Sequence, residues 1–431
     1  MALAVFEGFI VIDKFDFRVP FKNEHVISPK DGESGWVDLE SLGLPSLKGS
    51  ISVGNNGKYE VDELEHCYES VPSSFTPMAF KVFKGGQDYW PHIRLKASPA
   101  KLLQGHNVFG PDNPVHGMEL LYLISATYPD LAEKLDFKFT EIMNIDCTYS
   151  GDLPSKNLGL PVIEYLSNVD NKQLKFSQGH DSSVYFNKGS EHGSLKVYLK
   201  ALELENQLRE FKRRNANNSF DEIIKIMSDD KLQKYAENKI RIEATLTKRK
   251  LKDLGIPSLY FQFIKYFDEQ EKLGENVIQK LFMFKSAPLF ESLRGGTVNV
   301  YNDDEVRDKL RAKHARVNKK GKTSFNAAMA AFRTYRNIAA DGYNETKAEM
   351  VSRTFNMHVR MMMEAGISKA ALQNLHKGRS TGNILPILNV INIDFGNQYP
   401  DWYQEPVSPF SDKVVSIHGL SQRGQNLRLA V

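Results

Sequence analysis

Three short segments alternate between apolar and reactive residues with a period of two, and this alternation constrains the fold more than any other feature of the chain. In Ile142–Tyr149, Asn144, Asp146 and Thr148 fall on one side, with Ile145, Cys147 and Tyr149 on the other. In Leu195–Leu202, Lys196, Tyr198 and Lys200 oppose Leu195, Val197 and Leu199. In Ile240–Thr247, Arg241, Glu243 and Thr245 oppose Ile240, Ile242, Ala244 and Leu246. Successive side chains of a strand point to opposite faces, so each segment reads as a strand with one apolar and one polar side. As neighbours in one antiparallel sheet, the three would gather two carboxylates, a tyrosine and several cations on a single surface.

That inventory suits phosphodiester transfer. Two carboxylates can hold a divalent cation that polarises phosphoryl oxygens. A tyrosine hydroxyl, with an ordinary pKa of about 10, becomes a nucleophile once a metal or a cation assists it. Lys200, two residues from Tyr198, could lower that pKa or hold the phosphate as it becomes five-coordinate. The same alternation also describes the solvated face of an ordinary antiparallel sheet, and the pattern by itself leaves both readings open.

The rest of the chain supplies a frame. With 431 residues it can form two or three domains. A net charge of +3, from 56 Lys+Arg against 53 Asp+Glu, does not announce a nucleic-acid partner. Cys67 and Cys147 are too few for a disulfide framework or a thiolate metal cage, which suggests a reducing compartment. No stretch approaches the roughly 20 uninterrupted apolar residues of a membrane span. Short strands are expected at Gly8–Asp16, Gly49–Val61 and Met78–Phe83, with turns at Gly54–Gly57 and Gly85-Gly86, and a further strand at Ser183–Phe186. Val115–Leu135 reads as one helix, and Glu203–Lys239 as two joined near Asn215–Ser219. The character changes near Gly296, which predicts a mixed region 1–296 and a mainly helical region 297–431. In the latter, Asn302 caps a basic helix running to about Gly321. Helical patterns follow at Phe325–Ala340, Lys347–Ala365 and Lys369–Leu375, with Gly366 as a stop. The expected fold is α+β: an antiparallel sheet with helices on one face and a site on the other, then a helical domain.

Two further segments carry candidate DNA contacts. In Arg94–Gly110, RLKASPAKLLQGHNVFG, Ser98 and Pro99 open a short helix that stops at Gly105. Lys96, Lys101 and the free helix N-terminus make an anion site, with Asn107 beside it and Arg241 nearby on its strand. His106 can reach a metal or move a proton. A capped turn with a solvated histidine is the plainer reading. Lys309, Lys313, Arg316 and Lys320 recur along one helical face and would neutralise several phosphates, although a solvated charged helix has the same pattern.

The Arg94–Gly110 segment resembles, nearly residue for residue, the gene II replication-initiator endonucleases of filamentous phages. NIDCTYS at Asn144–Ser150, VYLKALELE at Val197–Glu205, IRIEATLTKRKLKDLG at Ile240–Gly255, GKTSF at Gly321–Phe325 and INIDFGNQYPDWYQEPV at Ile391–Val407 follow in the family's order. The resemblance covers almost the whole chain. It implies a protein of the host cytoplasm, without a membrane anchor, that binds phage origin DNA. It would nick the viral strand through a phosphotyrosine, leave a 3′-OH primer and rejoin the displaced strand. It also implies Mg²⁺ or Mn²⁺ as cofactor, host helicase and polymerase as partners, and self-association on the origin.

By position, Tyr198 matches the nucleophile, Asp146 and Glu243 match metal-binding acids, and His106 is a candidate third ligand. Glu203 fits a downstream acid. Two departures stand out: the His-hydrophobe-His motif of wider rolling-circle initiators is absent, and the nucleophile motif holds one tyrosine. The C-terminal part resembles the phage X protein, with Val298 where the family pattern starts that product. A non-catalytic origin-binding repressor and a nuclease that uses water are the rival readings.

Overall fold

The computed structural model describes residues 10–28, 35–44, 47–53, 59–216, 218–293, 298–317, 321–381 and 398–410. Its centre is a nine-stranded antiparallel sheet. The strands are β1 (Val11–Pro20), β2 (Glu69–Val71), β3 (Met78–Phe83), β4 (His92–Ala97), β5 (Glu141–Asp152), β6 (Phe176–His180), β7 (Ser183–Phe186), β8 (Ser194–Leu199) and β9 (Lys239–Thr247). Their order across the sheet is β6-β7-β8-β9-β5-β1-β4-β3-β2.

The three diagnostic strands are therefore direct neighbours, as the alternation requires. Their apolar sides share one core with Phe15, Phe17, Leu95 and Phe80. Helices Met118–Thr127, Gly159–Ser167, Tyr260–Lys272 and Val277–Leu293 cover that face. The fold is α+β, with the polar side of the sheet turned away from the large helices.

A second core joins Val298, which precedes the C-terminal helices, to Val306, Leu310, Phe332, Tyr335, Phe355, Met362 and Leu375 within them. These helices are Asp303–His314, Asn326–Asp341, Tyr343–Glu349, Ser352–Glu364 and Lys369–Thr381. Asn302 caps the first of them, accepting from the backbone N–H of Asp304 and Glu305 at 3.1 Å. Met362 is buried here, as ordinary packing material should be, while Met363 is partly exposed.

Several boundaries differ from the sequence reading for local reasons. The expected helix 115–135 is a 3-10 turn (Pro114–Gly117) and two helices, Met118–Thr127 and Pro129–Lys134. Pro129 keeps Tyr128 out of the helical region, at φ −129 and ψ 72. The strand expected to reach Leu202 ends at Leu199, and Lys200 opens helix Lys200–Arg214. The two helices expected in 203–239 are three, because Asp229 caps Asp230–Ala236 by accepting from Lys231 and Leu232. The expected helix 347–365 is likewise two, broken at Met350 and Val351.

The basic helix stops at His314. Arg316-Val317 pairs instead with Thr323-Ser324 in a small hairpin, so Arg316 leaves the stripe that contains Lys309 and Lys313. The first strand begins at Val11 and runs to Pro20, longer than expected. Strands Leu47–Val53 and Tyr59–His66 flank the anticipated hairpin turn, but Gly54–Gly57 themselves, like Gly296 and Lys320, lie outside the described residues. Gly85-Gly86 stands in the β3–β4 connection as expected and also pairs with Gly35-Trp36.

Candidate active site

Cross-strand register assembles the site. Tyr198 of β8 stands opposite Arg241 of β9, which stands opposite Ser150 of β5. In the next row Lys196 opposes Glu243, which opposes Thr148. In the row after that, Thr245 opposes Asp146, which opposes Lys14 of β1. Apart from Lys200, the reactive positions predicted from alternation thus share one face.

The Tyr198 hydroxyl lies 3.5 Å from Glu243 Oε2. Lys196 Nζ stands 4.1 Å from the Tyr198 ring centre and Lys200 Nζ 5.9 Å. Only 3% of Tyr198 is exposed. Burial, and then the charge of Glu243, push its phenol well above the usual range, so it rests protonated.

Glu243 is raised to about 7 by burial and by the neighbouring negative charges of Asp146 and Asp13. Asp146 is buried. Its Oδ2 accepts from Lys14 Nζ at 2.8 Å, while its Oδ1 has no hydrogen-bond partner among the described residues. An orphaned buried carboxylate oxygen beside a second carboxylate, itself destabilised by negative neighbours, fits a divalent cation. No group of three His, Cys, Asp or Glu side chains among the described residues is placed to hold one ion. The fit is thus to Asp146 and Glu243 with substrate oxygens, the pattern usual for Mg²⁺.

His106 is not part of that pair. It follows Gly105, which ends helix Pro99–Gln104 at φ +82, where a side chain would be strained. His106 Nδ1 lies 3.4 Å from the Val108 N–H, and its ring stands edge-on to Phe109 at 4.7 Å. Burial and the cations Lys200, Arg241 and Lys101 hold it down at about 3, so it is a neutral loop residue in cationic surroundings. The expectation of a third metal ligand at His106 is not supported by this placement.

Lys200 departs from its predicted strand face because it starts a helix. Its fully buried Nζ donates to Glu203 Oε2 at 2.6 Å and to Asn107 Oδ1 at 2.7 Å. Burial lowers the ammonium to about 8, against the pull of Glu203. Glu203 resists its own burial and is drawn down to about 2 by Lys200 and Lys101. Lys101 Nζ stands 4.0 Å from it.

Of the residues expected on DNA, two are occupied within the protein and a third is buried. Arg241, 2% exposed, donates from its terminal nitrogens to the carbonyls of Asn107 and Val108, and from Nε to Ser150 Oγ at 3.1 Å. Asn107 donates to Asp13 Oδ1 at 2.7 Å. Ser98 sits at the cap position of its helix but makes no capping bond, and its hydroxyl is buried without a partner among the described residues. Lys96 remains on the open sheet face, and Lys309, Lys313 and Arg316 are exposed.

Asp13 is the site residue that period-two reasoning misses. Simple alternation in VIDKFDF puts it beside Phe15 and Phe17, on the core side. A bulge between Ile12 and Lys14 turns it to the polar face instead, towards Asn107 and 3.7 Å from Arg241. The one available signal is an acid at a core-parity position of an apolar strand.

A distant segment completes the cover. The side-chain amide of Gln398 accepts from the Ser150 N–H at 2.8 Å and donates to the Ser150 carbonyl at 2.9 Å, capping β5 where β1 has ended. Trp402 and Tyr403 pack edge-on against Phe109, and Glu405 meets His116 at 3.0 Å. Phe109 also joins Val108, Leu204, Ile223, Met227 and Leu232 in a third small core.

The chain matches the N-terminal family of the phage gene II Replication-associated protein over residues 11–272, and the C-terminal family of the same protein over residues 317–409. It is 34% identical over 422 residues to the replication-associated protein of Salmonella phage IKe, spanning 95% of this chain and 100% of that one. The protein of the same description from Enterobacteria phage M13 is 34% identical over 409 residues, covering 92% and 99%. A solved rolling-circle replication initiator protein from Geobacillus stearothermophilus aligns over 55% of this chain and 74% of that one, at 12% identity and a TM-score of 0.23, and nothing is carried over from it. On the strength of these matches along nearly its whole length, the chain belongs to the gene II replication-associated protein family of filamentous phages.

Proposed function

We propose that this protein initiates rolling-circle replication by nicking one strand of the phage origin and rejoining the displaced strand, with Tyr198 as nucleophile. The observation that carries the reading is the register of Tyr198, Lys196, Glu243 and Asp146 on one face, with the phenol 3.5 Å from a carboxylate.

In the forward step the Tyr198 oxygen attacks phosphorus as its hydrogen passes to Glu243 Oε2. Burial and its acidic neighbours raise Glu243 to about 7 with no cation bound, and a cation held there would favour the charged form that accepts the proton. The bond from phosphorus to the 3′ oxygen breaks, and that oxygen takes up a proton from water to leave as a hydroxyl. The phosphodiester energy is kept in the protein–DNA bond, so the reverse step needs no ATP. Lys196, above the Tyr198 ring, offsets the charge that grows on the phosphate. Asp146 and Glu243 would hold Mg²⁺ or Mn²⁺, which supplies charge neutralisation at the phosphoryl oxygens. Lys200 and Glu203, paired inside, fix the loop that carries Asn107. Origin DNA, double-stranded and then single-stranded, is the substrate. Host helicase and polymerase would take over at the 3′-OH, in the cytoplasm of the host. Lys309 and Lys313 contribute phosphate contacts from the helical region.

The test is incubation with Mg²⁺ and supercoiled origin plasmid, followed by denaturation. Nicked DNA that still carries protein supports the reading, and Tyr198→Phe should abolish it. Nicking that survives this substitution refutes covalent catalysis, and binding without nicking by the unaltered protein favours the repressor.

A further inference from the structure

We propose that the outer half of the polar sheet face, away from Tyr198, is a stacking platform for single-stranded DNA. This deepens the replication reading and rests on it.

The face continues without changing sides. Lys14, opposite Asp146, shares its side of β1 with Asp16 and Arg18. Those stand opposite Lys96 and Arg94 of β4, which in turn stand opposite Ala79 and Lys81 of β3, with Phe83 opposite His92. A strand running outward from Asp146 would therefore meet these residues in order.

Rings and cations alternate along this surface. Tyr68, at the entry to β2, is 51% exposed, with Lys96 Nζ 4.8 Å and Lys81 Nζ 5.8 Å from its ring centre. Phe83 lies flat on His92 at 4.8 Å and 7°, and Lys81 Nζ stands 5.1 Å from its centre. Tyr89, 42% exposed, stands edge-on to Phe83 at 6.3 Å. Two carboxylates nearby are already held: Asp16 by a two-pronged bond from Arg94 and by Lys96 at 3.7 Å, and Glu141 by Arg18 at 3.4 Å. Their repulsion of phosphate is thereby muted.

Base faces stack on exposed rings and phosphates settle beside lysines, and this combination binds unpaired strands with little regard to sequence. A duplex hides its base faces in its own stack, so the rings select a single strand. The geometry thus places a holder for the opened strand on the same sheet face as the proposed nicking residue, a few strands away from it.

The experiment uses the full chain carrying Tyr198→Phe, in chelator, with a fluorescent thymidine oligonucleotide and anisotropy as readout. Tyr68→Ala and Tyr89→Ala should each weaken binding roughly tenfold. Tyr68→Phe, which keeps the ring, should bind within about twofold of the parent, and this separates stacking from misfolding. Lys81→Gln and Lys96→Gln should each reduce the slope of log affinity against log salt by about 0.7. Unchanged affinity in both tyrosine-to-alanine variants, or tighter binding of the matching duplex, overturns the platform. Nicking of origin plasmid by the unaltered protein is measured in parallel. Nicking without oligonucleotide binding overturns the platform alone, whereas binding without nicking supports the platform and overturns the nicking reading.

Discussion

Replacing Glu243 by Gln separates the cost of the site from its chemistry. Glu243 holds its proton more tightly in the folded chain, at about 7, than the ordinary 4.5 of an unfolded one. Between those values the folded state carries the extra proton, so stability falls as pH rises, and above about 7 the penalty is complete. The gap corresponds to about 3 kcal/mol. This is an upper bound, since part of the side chain reaches solvent. Glutamine keeps the shape and removes the charge. Urea unfolding in chelator should show Glu243→Gln close to the parent at pH 4, below both values, and more stable at pH 8 by up to about 3 kcal/mol, roughly a 1 M shift in midpoint. Mg²⁺ at pH 8 should raise the midpoint of the parent and leave the variant unmoved, while nicking is lost. A variant equally displaced at both pH values, or less stable than the parent at pH 8, refutes the argument that Asp146 and Asp13 strain Glu243.

Arg241→Met leaves two loop carbonyls without their donor and Asp13 without its neighbouring cation, and should cost about 3–5 kcal/mol in urea unfolding; a loss of DNA binding at unchanged stability would put Arg241 on the DNA instead. Gln398→Ala orphans the N–H and carbonyl of Ser150 and should cost about 1–3 kcal/mol, with faster hydrogen exchange confined to the end of β5. Lys309→Gln and Lys313→Gln should each lower the salt slope of duplex binding by about 0.9 and leave unfolding midpoints unchanged, because both side chains are exposed.

The sheet and its sidedness were legible because a period of two is enforced by the backbone itself. Knowing only that Lys196, Glu243 and Asp146 were polar positions in apolar strands was enough to put them on one surface. The departures come from effects that local pattern does not encode. Lys200 looked like a strand residue because its parity was right, and only the buried contacts to Asn107 and Glu203 show that the chain has already turned into a helix. Arg241 looked like a DNA-binding cation because charge normally faces water, whereas here it clamps a loop from 134 positions away. Asp13 was hidden by a one-residue bulge, which inverts parity beyond it. Asp229 was a readable cap, a signal present in the sequence and passed over.

The bonds from Gln398 to Ser150 span 248 positions. During synthesis, residues 11–272 emerge long before residue 398, and with them every strand of the sheet. The loop carrying His106 and Asn107 gains two of the packing partners of its Phe109, Trp402 and Tyr403, only after about 290 further residues have been made. A chain halted before residue 398 would present the whole sheet with the end of β5 and the Phe109 ring still uncovered. The order of synthesis is thus written into the packing: the strands come first, and the segment that closes over Ser150 and Phe109 comes last.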